Sequence, residues 1–89
     1  MVEQQITIIN KLGLHARAAA KLAKTCGRFG SKITIGSQQT RVDGKSVMSL
    51  MLLAASKGTE LVITSEGKDE QQAMEAIVAL INNRFDEEE

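Results

Sequence analysis

The chain has no proline, no tryptophan and no tyrosine, and its aromatic residues are Phe29 and Phe85 alone. Two phenylalanines give nucleobases few stacking platforms, and the formal net charge is zero, so nucleic acid is a poor partner. Cys26 is the one cysteine, which excludes a disulfide framework. Paired Cys/His ligands are missing too, so no metal site is expected. No apolar run approaches the roughly 20 residues needed to span a bilayer. Met1 to Gln5 lacks the charged and apolar pattern of a signal peptide. With the lone cysteine, this fits a reducing cytoplasm. There is no linker-like stretch and no repeat, so residues 1–89 read as a single domain.

What is present is segregated charge. From Gln4 to Val42 there is no acidic residue, while Lys11, Arg17, Lys21, Lys24, Arg28, Lys32 and Arg41 fall in that stretch. The acids gather after Val42 and end in Asp86-Glu87-Glu88-Glu89, a run that reads as a solvated end. The basic half predicts an acidic partner or an anionic ligand near the first helix.

Periodicity gives seven elements. Gln4 to Asn10 reads as a strand with Ile6 and Ile8 on one face. Ala16 to Arg28 reads as an alanine-rich helix. Arg17, Lys21, Lys24 and Arg28 form a basic stripe on it, and Ala19, Leu22, Ala23 and Cys26 face the core. Ser31 to Gly36 and Gln39 to Val42 read as a hairpin turning at Gly36-Ser37-Gln38. Ser46 to Ala55 reads as a short helix with an unusually apolar surface, and Glu60 to Ser65 as the fourth strand. Asp69 to Arg84 reads as a helix with Asp69 as N-cap and Gln72 completing a capping box. The order β-α-β-β-α-β-α predicts an α+β fold. It is a two-layer open-faced sandwich, with three helices on one face of a four-stranded, mainly antiparallel sheet.

The one histidine, His15, lies in Asn10-Lys11-Leu12-Gly13-Leu14-His15-Ala16-Arg17, at the start of the first helix. An unperturbed imidazole titrates at about pH 6.5, so a neutral nitrogen nucleophile is available near neutrality. A phosphoryl group carried there would meet the unsatisfied amides and positive dipole end of the helix, from Ala16 and Arg17 onward. The Arg17 guanidinium adds a planar fork suited to phosphate oxygens, and Gly13 permits a tight backbone turn before the histidine. A surface histidine at a helix start is nevertheless the commoner role for such a residue, and the Gly-x-His-x-Arg spacing alone leaves both readings open.

The same run resembles the active-site signature of the HPr family, the histidine-containing phosphocarriers of the bacterial phosphotransferase system. A second run, Lys45-Ser46-Val47-Met48-Ser49-Leu50-Met51-Leu52-Leu53-Ala54-Ala55, resembles the family's regulatory-serine signature. The likeness covers essentially the whole chain. It implies that enzyme I phosphorylates His15 on Nδ1, that Arg17 steadies the phosphate, and that an enzyme IIA domain receives it. It implies a covalent carrier with no cofactor, acting as a monomer, and not an independent enzyme. It also implies phosphorylation of Ser46 by HPr kinase/phosphorylase. Ala20, Lys21, Lys24, Lys45, Val47, Met48 and Met51 are the expected partner face: methionines adapt to several partners. Cys26 is expected to be a core residue. Family members often carry proline directly after the arginine. Ala18 stands there in this chain, which predicts a slightly freer first turn. The alternative is an HPr-like regulator working mainly through protein contacts in a nitrogen-related or incomplete branch of the system.

Overall fold

The structure, a computed structural model, describes residues 1–87. Its elements run β1 (Val2–Thr7), α1 (Ala16–Gly27), β2 (Lys32–Gly36), β3 (Arg41–Asp43), α2 (Val47–Leu52), β4 (Glu60–Glu66) and α3 (Glu70–Asn82). The α+β order is the expected one. The four strands form one sheet in the order β1-β4-β2-β3, and every neighbouring pair is antiparallel. Register is fixed by Gln5↔Val62 between β1 and β4, Thr34↔Thr64 between β2 and β4, and Ile35↔Val42 between β2 and β3.

The core lies between sheet and helices. Ile6, Ile33, Ile35, Leu61 and Ile63 come from the strands, and Ile8 follows β1. Ala18, Ala19, Leu22, Ala23 and Cys26 come from α1, and Ala73, Met74, Ile77 and Ile81 from α3. The alternation in β1 works as expected, with Ile6 inward and its neighbours Gln5 and Thr7 exposed. Burial pushes the Cys26 thiol up to about 12, against the opposing pull of the Lys45 charge.

Two local expectations are corrected. The helix expected from Ser46 to Ala55 ends at Leu52, because Ala54 takes a left-handed φ of 50° and turns the chain. Only Leu50 of this helix is buried, so its apolar residues do not form a second core stripe. Asp69 precedes α3 as expected, yet it caps nothing there and Gln72 completes no box. Its carboxylate accepts instead from the Gly30 amide at 2.9 Å, the Ser31 amide at 3.0 Å and the Ser31 hydroxyl. Those groups close the turn between α1 and β2, where Ser31 is buried and its amide and hydroxyl need an acceptor. They also hold the Asp69 carboxyl below its usual range, the Ser31 hydroxyl foremost.

Candidate functional site

The site starts at Asn10, just past the sheet. The Gly13 amide donates to the Asn10 carbonyl at 3.2 Å, and the Leu14 amide to the Ala55 carbonyl at 2.8 Å. Gly13 has φ 66°, and a Cβ on it would lie 2.5 Å from the Ala55 oxygen, so this approach requires glycine. The loop delivers His15 as the N-cap of α1 with extended backbone and no side-chain capping bond. The first internal helix bond runs from the Ala19 amide to the His15 carbonyl at 2.8 Å. The amides of Ala16 and Arg17 precede it at the positive end of the dipole, and no acid lies in that first turn. Arg17 is exposed beside them, and Ala18 is fully buried.

Of the acidic run, Asp86 is exposed as expected, but Glu87 is not. Arg84, Phe85 and Asp86 all have left-handed backbone, with φ of 55°, 55° and 64°, and the chain folds back toward α1. Phe85 is completely buried in the core. The Lys21 ammonium donates to the Phe85 carbonyl at 2.8 Å and stands 3.9 Å from the Asp86 carboxylate. The next residue, Glu87, reaches the site: its Oε2 lies 2.5 Å from Nε2 of His15, and its Oε1 accepts from Asn10 Nδ2 at 3.0 Å. Asn10 is fully buried and also donates to the Gly13 carbonyl at 2.8 Å, joining the loop to the tail. Burial pushes the Glu87 carboxyl up. The bonds from His15 and Asn10 and the charges of His15 and Arg17 outweigh it and leave the carboxyl below its ordinary range. The side chains of His15 and Glu87 retain 29% and 14% of their exposure. Glu88 and Glu89, also read as solvated, lie outside the described residues.

The other sequence-predicted residues fall on the two helices next to this site. Ala20 and Lys24 are on the outer face of α1. Ser46 is the N-cap of α2, its hydroxyl accepting from the Ser49 amide at 3.2 Å. Val47, Met48 and Met51 are all exposed, Met48 to 72%, and Leu52 beside them to 81%. The Lys45 ammonium is bound to the Phe29 carbonyl at 2.7 Å, so Lys45 and Lys21 are both anchored to backbone. Among the described residues no group of three or more His, Cys, Asp or Glu could hold a metal ion, and no helix is long and apolar enough to cross a membrane.

A family model described as the phosphotransferase-system HPr component phosphorylation site matches residues 2–83. The chain belongs to the HPr family. "Phosphocarrier protein HPr" of Pseudomonas aeruginosa is 56% identical over 86 residues, 96% of each chain. The Pseudomonas putida protein of that description is 52% identical over 90 residues, the full length of both. The crystal structure of HPr-C-His from Thermoanaerobacter tengcongensis superposes with a TM-score of 0.95 at 42% identity, again over both chains entirely. The HPr fold and a phosphocarrier role in the phosphotransferase system are therefore this chain's own. Glu87, which touches the histidine of this HPr chain, lies beyond the matched residues 2–83. One sequence signal points to it: an isolated phenylalanine after a helix, two residues ahead of a glutamate.

Proposed function

We propose that the chain takes a phosphoryl group from phosphorylated enzyme I onto Nδ1 of His15 and passes it to a histidine of an enzyme IIA domain. It acts in the cytoplasm as a covalent carrier without a cofactor, and the partner enzymes supply alignment and exclude water. One observation carries this reading: His15 caps α1 with part of its ring exposed, and the first turn beneath it holds amides and Arg17 but no acid. The Nδ1 lone pair forms the N–P bond as the donor's N–P bond breaks, and its electron pair returns to the donor imidazole. Arg17 and the amides of Ala16 and Arg17 receive the phosphate oxygens. Onward transfer runs the same exchange toward the next histidine.

The apolar surface of Ala20, Val47, Met48 and Met51, bordered by Lys21, Lys24 and Lys45, is the docking face in this reading. Ser46 borders that face. Phosphorylation by HPr kinase/phosphorylase would add about −1.5 to −2 charge there at neutral pH. It would repel an acidic partner while the helix start tolerates it, so Ser46→Asp is expected to slow transfer from enzyme I.

The test is incubation with enzyme I and phosphoenolpyruvate, with mass and acid lability read on the product. One acid-labile phosphate that is absent in His15→Ala is expected. No phosphate with a competent enzyme I would refute carriage and favour a regulator acting by contact alone.

A further inference from the structure

We propose that Glu87 is a positioning residue for His15: its carboxylate fixes the imidazole in the tautomer that leaves Nδ1 bare. The proposal rests on the reading of His15 as the phosphoryl acceptor. An ionised carboxylate only accepts hydrogen bonds, so at 2.5 Å from Oε2 the Nε2 atom must carry the hydrogen. A neutral imidazole has one such hydrogen, and Nδ1 is then left with an unprotonated lone pair.

The carboxylate is itself held. Its second oxygen accepts from buried Asn10 at 3.0 Å. Phe85, fully buried two residues earlier, pins the tail, and Lys21 clasps the Phe85 carbonyl at 2.8 Å. Left-handed backbone is unfavourable for residues with a side chain. Three such residues in succession, Arg84 to Asp86, therefore mark a path imposed by these anchors.

The arrangement suits both directions of transfer. When Nδ1 bonds to phosphorus, the neutral ring becomes a phosphorylated imidazolium. The electron pair of the broken bond stays on the donor nitrogen, and no proton moves. The Nε2 hydrogen remains against Glu87, whose negative charge offsets the positive ring. In the reverse sense, a ring that keeps this hydrogen departs from phosphorus as neutral imidazole. An acid placed to block the site would do the opposite and slow both steps.

The test uses the full chain labelled with 15N in its imidazole, and potassium phosphoramidate as a phosphoryl donor that makes no protein contacts. Long-range 1H–15N NMR above the ring's titration reports the tautomer, and the appearance of phosphohistidine reports the rate. In wild type the Nε2–H form is expected to dominate. Glu87→Ala should mix the tautomers and slow phosphorylation about tenfold, the lower end of what orienting partners of histidines contribute elsewhere. Glu87→Gln keeps an accepting oxygen but no charge and should fall between. An unchanged tautomer in Glu87→Ala, or phosphorylation as fast as wild type or faster, overturns the proposal alone. A wild-type His15 that takes no phosphate from phosphoramidate or from enzyme I overturns the carrier reading and this proposal with it.

Discussion

Gly13→Ala is expected to be the most damaging small substitution near the site, and three glycines separate its causes. At Gly13 the backbone φ is 66°, and an added Cβ would sit 2.5 Å from the Ala55 oxygen and 2.8 Å from the Ser56 Cα. These are backbone atoms, so relief requires moving the loop whose carbonyl accepts from the Leu14 amide at 2.8 Å. The left-handed conformation costs an L-residue roughly 1–2 kcal/mol, and forced displacement in a packed region adds roughly 1–3 kcal/mol. The sum is about 2–5 kcal/mol, a drop in Tm of at least about 8 °C for a domain of this size. Gly58 isolates the first cost: φ is 92°, and a Cβ there meets nothing within 4 Å. Gly58→Ala should lose only roughly 1–2 kcal/mol. Gly27 closes α1 without a left-handed φ and with nothing within 4 Å of an added Cβ, so Gly27→Ala should gain about 0.5–1 kcal/mol. Urea and thermal unfolding of the three variants give the comparison. A Gly13→Ala loss no greater than that of Gly58→Ala would refute the argument that the Ala55 contact constrains the approach to His15.

Three further outcomes follow from the remaining polar groups. Asp69 has its folded carboxyl lowered by the Ser31 and Gly30 donors, so its stabilisation is complete above the unfolded value of about pH 4 and is lost as pH falls through the lower folded value. The difference in urea midpoint between wild type and Asp69→Ala should shrink in acid, and an equal difference at neutral pH and at about pH 2 would contradict this. Cys26, buried with its thiol raised to about 12, should react with a disulfide reagent only on global unfolding. A labelling rate identical in wild type and Gly13→Ala would show a local route to the thiol instead. Ser46→Ala removes the acceptor of the Ser49 amide and should cost about 1 kcal/mol, while Ser46→Asp, itself a good cap, should cost less; equal losses in urea unfolding would remove the cap from the account.

Most of the architecture is legible because period and burial agree. The α1 face of Ala19, Leu22, Ala23 and Cys26 is buried as its spacing demands, and Ile6 and Ile8 share the inward side of the first strand. The misreadings arise where the deciding contact is distant in sequence. The apolar run from Val47 to Leu53 has no stop signal within it, yet the helix ends at Leu52 because the chain must return Ala55 to the carbonyl contact with Leu14. Asp69 has the local pattern of a cap. Its actual partners, Gly30 and Ser31, are almost forty residues away by chain and adjacent in space.

The place of His15 at the start of α1 is legible in the sequence, but the charge balance around it is not. Segment-by-segment charge separates a basic first half from an acidic end, and so predicts an acidic partner or an anionic ligand near the first helix. The fold brings the two together, Lys21 against Asp86 and His15 against Glu87. Apart from the isolated Phe85, nothing in Asn83-Arg84-Phe85-Asp86 announces that return: a chain reversal usually shows a glycine or asparagine in the left-handed region, whereas here three consecutive residues with bulky or charged side chains adopt it. The cause is Phe85, whose burial fixes where the next two residues go. Glu87 then meets the ring at Nε2 and not at Nδ1. A carboxylate bonded to a hydrogen has much of its charge spent locally, and it lies across the ring from Nδ1, the nitrogen proposed to receive phosphorus. Placed there, it is better suited to keeping a proton than to repelling a phosphate, which is why an acid can sit beside the histidine of a phosphocarrier without opposing its chemistry.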